Sequence, residues 1–137
     1  MSTQFGLVMV LVPDMPRARA FYSELLGYEV VQALSSPTGD FLFLHAKTGG
    51  PNLALQDAST QLYGIPMEHG GIMLGFAVED ADAVYRQWQS KSVEVLGEVS
   101  DMGAGRMFIA KDPAGNYIQV YHLHPQVQET QKQLGLV

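Results

Sequence analysis

The stretch Val12-Pro-Asp-Met-Pro-Arg-Ala-Arg-Ala-Phe-Tyr-Ser-Glu-Leu-Leu-Gly27 decides the fold. It follows an apolar run, Phe5 to Val12, that reads as a buried strand. Asp14 stands where a carboxylate accepts hydrogen bonds from the N–H groups of a first helical turn, and Pro16 needs no N–H there. Ala18, Phe21, Tyr22 and Leu25 recur at helical spacing, and Gly27 ends the helix. The same strand-to-helix junction returns at Val78-Glu-Asp80, an offset of 66. Tyr22 lies eight residues after Asp14, and Trp88 lies eight after Asp80.

Working outward, Tyr28–Gln32, Phe41–Ala46 and Asn52–Gln56 read as strands in the first half. Gly71–Val78, Val93–Leu96, Arg106–Lys111 and Asn116–Leu123 do so in the second. Val30 and Val95, and Asn52–Gln56 and Tyr117–Tyr121, repeat at an offset of 65. A duplicated βαβββ unit follows, with module 1 at about 1–57, a linker at 58–70, module 2 at about 71–124 and a glutamine-rich helical tail at 125–137. The fold class is α+β. Each helix is expected to cover one face of its half-sheet, leaving the other faces to enclose a cleft. Asp112-Pro-Ala-Gly115 is the strongest turn signal, read as a type I turn that pairs Phe108 with Gln119 and Arg106 with Tyr121.

Composition removes several function classes. The chain has 137 residues and no cysteine, which excludes disulfides, thiolate nucleophiles and cysteine-ligated metals. Net charge is -6 with scattered Lys and Arg, so no nucleic-acid partner is expected. No stretch reaches the ~20 apolar residues of a membrane span, and no secretory signal is visible. A soluble cytoplasmic protein with no membrane partner is the expectation. There is no G-x-S-x-G or P-loop, and Gly103-Ala-Gly105 lacks the later glycine of a dinucleotide fingerprint.

The run from Val12 to Gly27 resembles the opening of the vicinal oxygen chelate superfamily, which contains glyoxalase I, extradiol dioxygenases and the fosfomycin- and bleomycin-resistance proteins. Phe108-Ile-Ala-Lys-Asp-Pro-Ala-Gly-Asn-Tyr-Ile-Gln-Val120 resembles its closing signature. The resemblance spans nearly the whole chain. It implies the paired βαβββ fold, a homodimer, and clefts often built from both subunits. The family's enzymes place metal ligands on four strands, at positions that fall here on Leu7, Ala54, Met73 and Gln119. Leu, Ala and Met offer a hard divalent cation nothing, and one neutral Gln is a poor anchor. No cofactor and no metal at that place are therefore expected.

Strand parity gives the candidate cleft residues. Val8, Val10, Val12, Ile72, Leu74, Phe76, Val78, Ile118 and Val120 are assigned to the helix side. The opposite face receives Phe5, Leu7, Met9, Leu11, Met73, Gly75, Ala77, Tyr117, Gln119, Tyr121 and Leu123. Ligand contacts are expected from Leu7, Phe43, Met73, Phe108 and Tyr121, with directional hydrogen bonds from His45, Arg106 and Gln119. For any one apolar residue, plain core or a dimer interface is an equally good reading. Trp88 is assigned to helix packing. His122 and His124 form an i, i+2 pair whose plainer reading is a half-exposed strand end. His69 and Glu68 are read as solvated linker, and Tyr63 as a residue placed to close over a pocket. The expected function is metal-free binding, or sequestration, of a small hydrophobic or aromatic compound, in the manner of bleomycin-resistance proteins. The alternative is a lyase, isomerase or dioxygenase of the same superfamily with a metal relocated to His45, His122 or His124.

Overall fold

The computed structural model describes residues 3–135 except 48, 50, 59, 60, 67–70 and 114. His69 and Glu68 lie outside the described residues. The first half comprises β1 (Gln4–Val12), α1 (Met15–Ala20), β2 (Tyr28–Val31), β3 (Phe41–Ala46) and β4 (Leu53–Asp57). Two short strands follow where the sequence reads as a linker, β5 (Gln61–Leu62) and β6 (Ile65–Pro66). The second half comprises β7 (Ile72–Ala77), α2 (Ala81–Ser90), β8 (Glu94–Asp101), β9 (Gly105–Lys111), β10 (Tyr117–Leu123) and α3 (Pro125–Gln133). No helix among the described residues is long and apolar enough to cross a membrane.

The two junctions form as their sequences dictate. Asp14 accepts from the Arg17 N–H at 3.2 Å, and Asp80 from the Ala83 N–H at 3.1 Å. After α1 the chain widens into a π-type turn over Phe21–Leu25 rather than continuing as regular helix. Each half builds a four-stranded sheet, in the orders β2-β3-β4-β1 and β7-β10-β9-β8. In each the first strand runs parallel to the last, and the other pairs are antiparallel. This is an α+β chain of two βαβββ modules. By compactness, Leu7–Leu62 form one unit, together with Pro66, Gly71 and Ile72. The chain from Met73 onward forms the other, together with the segment up to Gly6 and residues 63–65.

α1 and α2 each cover one face of their own sheet. In the first unit Val12, Leu42, Leu44 and Leu55 form a core packed by Val10, Met15, Ala18 and Tyr22. In the second, Val78, Ala81, Val84, Phe108, Ala110 and Val120 do so, packed by Tyr85, Trp88, Val95 and Ile118. The Phe108 ring meets Tyr85 and Trp88 edge to face, with centroids 5.2 and 5.6 Å away. Trp88 therefore packs its helix, as expected.

Phe108 and Arg106 correct the sequence reading. Phe108 faces Val120, and Arg106 faces His122. The expected pairing is off by one residue. The cause is Asn116, which belongs to the loop and not to the strand. Asp112 accepts its backbone N–H at 2.8 Å and its side-chain amide at 2.9 Å, and the Asp112 N–H donates to its carbonyl at 3.0 Å. The loop is thus 112–116, one residue longer than the turn signal implies. A one-residue shift turns every side chain of a strand to the other face. Phe108 goes into the helix-side core at 0 % exposure. Arg106 goes to the helix, where its guanidinium makes two 2.9 Å hydrogen bonds to the Asp82 carboxylate on α2. Neither lines the inner face. A second correction concerns Phe5: its ring meets Phe76 at 5.6 Å rather than facing inward.

Two outcomes follow. Truncating Phe108 to Ala is expected to cost about 3–5 kcal/mol in urea unfolding, the range for a fully buried ring. The hydrogen bonds from Arg106 hold the Asp82 carboxyl below its ordinary range. A lowered carboxyl adds stability above its unfolded pKa and loses it as pH falls through the folded value. The difference in melting temperature between the parent and Asp82→Asn should therefore be present at neutral pH and shrink under acid. It should be small, because the pair is about two-fifths exposed.

Candidate functional site

The inner face of the second module's sheet carries three cross-strand rows. Glu94, Lys111, Tyr117 and Met73 stand across β8, β9, β10 and β7. Leu96, Ile109, Gln119 and Gly75 form the next row, and Met107, Tyr121 and Ala77 the third. Met73, Met107 and Ile109 are buried, so the floor is apolar. Met107 and Ile109 take the places that the sequence reading gave to Arg106 and Phe108.

Two polar side chains stand on this floor. Gln119 is 8 % exposed and Tyr121 is 7 % exposed. Neither makes a hydrogen bond to another described residue. Yet among the described residues no side-chain nitrogen or oxygen sealed from solvent lacks a partner. The amide and the phenol therefore each touch accessible space. A polar group this deep ordinarily finds a partner, because an unmet one costs about 1–3 kcal/mol. These two present an amide donor and acceptor, and a hydroxyl, over a ring- and thioether-lined surface.

Gly6 fixes the phenol's position. A β-carbon there would overlap the Tyr121 hydroxyl oxygen and stand 2.9 Å from Cζ and 3.3 Å from the Gly75 carbonyl. Burial pushes the Tyr121 phenol up to about 12.

In the first module, Phe43 stands between Val31 and Ala54, with Met9 beyond Ala54. This row lies opposite the face that packs α1. Phe43 and Ala54 are buried, and Leu7 and His45 are half-buried. Asn52 Oδ1 accepts the Ala46 N–H at 3.1 Å and lies 3.0 Å from His45 Nδ1. An oxygen accepting both bonds makes Nδ1 the donor and turns Nε2 away from Asn52. On the helix side of this module is a depression of about 410 Å³ beside Arg19, Asp40 and Asp57. The Asp40 carboxylate there is already held by the Ser36 and Thr38 hydroxyls, which lower its pKa.

The expected site residues thus divide. Met73, Gln119 and Tyr121 share one inner face, Phe43 and His45 share the other module's, and Arg106 and Phe108 lie on neither. The rings of His122 and His124 cross at 6.4 Å, with Arg106 in register beside His122. Tyr63 is 46 % exposed. The four positions where the resemblance puts metal ligands hold Leu7, Ala54, Met73 and Gln119, which supply one neutral amide between them. That donor set does not fit a hard divalent ion. No three His, Asp or Glu side chains converge as a metal-binding group among the described residues.

The model of the Glyoxalase/Bleomycin resistance protein/Dioxygenase superfamily matches residues 4–120. A Bacillus subtilis (strain 168) relative, the uncharacterized protein YetH, is 29% identical over 122 residues, covering 85% of this chain and 95% of its own. Among solved structures, a Legionella pneumophila chain described as NAD-dependent benzaldehyde dehydrogenase is 26% identical. It aligns over 90% of this chain and 100% of its own with a TM-score of 0.66. Methylmalonyl-CoA epimerase from Mycobacterium tuberculosis, 21% identical, aligns over 92% of this chain and 91% of its own at 0.68, a likeness of fold.

The Tyr121 environment gives a test at alkaline pH. A raised phenol pKa adds stability below the unfolded value and loses it as pH climbs to the folded one. Between pH about 10 and about 12, the parent should lose more stability than Tyr121→Phe. The difference should be on the order of 2–3 kcal/mol in urea titrations. Equal losses would place the phenol in solvent.

Proposed function

The chain belongs to the Glyoxalase/Bleomycin resistance protein/Dioxygenase superfamily, and from that premise we propose that it binds a small hydrophobic or aromatic compound without a metal, sequestering it rather than transforming it. The observation that carries this reading is the pair Gln119 and Tyr121, more than nine-tenths buried and without a hydrogen-bond partner among the described residues. Met73, Met107 and Ile109, each at most 1 % exposed, back the pair with apolar side chains. The amide and phenol supply direction. Binding needs no covalent step; the protein lowers the free concentration of its ligand. The superfamily's name covers enzymes as well as binding proteins.

A second reading has one observation in its favour, the 3.0 Å contact of His45 Nδ1 with Asn52 Oδ1, which leaves Nε2 as the ring nitrogen not engaged by Asn52. In it the chain is a lyase, isomerase or dioxygenase with a divalent ion held away from the family's usual positions.

One experiment separates them. Titrate the protein with 1-naphthol and with naphthalene, following intrinsic probe fluorescence. A site built to satisfy a buried amide should favour the hydroxylated compound, by roughly tenfold for one good hydrogen bond. Gln119→Leu should erase that preference while retaining naphthalene binding. Absence of binding by both compounds would contradict the proposal. A rise in melting temperature with Mn²⁺, Fe²⁺, Ni²⁺ or Zn²⁺ that disappears in His45→Ala would favour the second reading.

A further inference from the structure

The corrected register brings a cation to the inner face that the sequence reading did not place there. Phe108 and Ala110 belong to the helix-side core, so Met107, Ile109 and Lys111 point the opposite way. Tyr117 stands directly across from Lys111. The Lys111 ammonium lies 5.6 Å from the centre of the Tyr117 ring. A cation over an aromatic face is attracted by the ring's quadrupole, which favours placing this lysine's charge at the face. Glu94 is in register on the other side, but no carboxylate among the described residues comes within 4.0 Å of the ammonium. Lys111 is half-buried, and among the described residues no ion pair neutralises its charge.

Successive residues on one face of a strand are ~7 Å apart. An anion at the Lys111–Tyr117 row would therefore sit ~7 Å along β10 from the Gln119 row, and twice that from Tyr121. One small planar molecule spans the first interval. We propose that Lys111 is the anion contact of this face, and that the ligand is an aromatic or similarly planar compound carrying one carboxylate at the Tyr117 end. The inference rests on the reading of this face as the ligand site. It adds the ligand's charge and its orientation, carboxylate toward Tyr117 and ring toward Gln119.

The test uses 1-naphthoate and 1-naphthamide, which share size and shape and differ in charge. Both are titrated into the parent and into Lys111→Met, which keeps the side-chain stem. Naphthoate should bind the parent and weaken by about tenfold in the variant, the loss of one charge-assisted contact. Naphthamide should change by less than about twofold in the same comparison. Raising NaCl from about 0.05 to about 0.5 M should weaken naphthoate and spare naphthamide. Naphthoate binding that is unchanged in Lys111→Met overturns the inference while leaving the reading of the face intact. Equal weakening of both compounds overturns it too, since it reports packing of the stem. Binding of neither compound to the parent overturns the inference together with the site it rests on.

Discussion

The grip of Asp112 on Asn116 is the constraint on which the second module's chemistry depends. Three hydrogen bonds between these residues, at 2.8, 2.9 and 3.0 Å, lengthen the β9–β10 loop to residues 112–116. Gly115 completes it in the left-handed region at φ +91, where a side chain would be strained. With a four-residue loop the face of β9 would invert. Phe108 and a guanidinium would then look inward, while Met107, Ile109 and Lys111 would be pressed against α2. With five residues, Phe108 anchors the helix and the inner face becomes a thioether and aliphatic floor with one cation at its edge. A short polar contact at a loop thus decides which residues build the core and which are available to a ligand.

The two faces of this sheet obey different rules. On the helix side the residues interlock: Phe108 contacts Tyr85 and Trp88, and Val120 and Ala110 are fully buried. Arg106 at the margin is matched by Asp82. On the inner face, by contrast, Gln119 and Tyr121 are buried without partners, and Gly6 keeps a space that the Tyr121 phenol fills. A leucine at 119 and a phenylalanine at 121 would serve a plain core better, since a deep polar group with no protein partner depends on solvent or a ligand for its hydrogen bonds. Local departure from the consistency of a packed core is what a binding surface looks like.

Much of the fold was legible. The Val12–Gly27 and Val78–Asp80 junctions, the offsets of 65 and 66, and the two capping aspartates gave the modules and the helix-facing rows. Of the site, Met73, Gln119 and Tyr121 were placed correctly on one face, because parity was counted within β7 and within β10 separately, with no turn to carry it across. Arg106 and Phe108 were misplaced because their parity had to be carried across a loop. Asp-Pro-Ala-Gly is a complete four-residue turn on paper, and only the following Asn116, a side chain suited to hydrogen-bonding back to Asp112, signals the fifth residue. Phe5 was misplaced because alternation was assumed to hold to the first residues of β1. Gly6 was passed over because its role is a close approach to a side chain 115 positions away in sequence.

The most direct test of the account is a heteronuclear NMR titration of the protein with 1-naphthoate, following the Gln119 side-chain amide, the Tyr121 and Lys111 backbone amides, and the Trp88 indole. The account predicts that the Gln119, Tyr121 and Lys111 signals move together along one saturable isotherm while the Trp88 indole stays in place. Movement of the Trp88 indole and the Arg106 guanidinium, with the Gln119 amide unmoved, would contradict it and return the ligand to the helix side of the sheet.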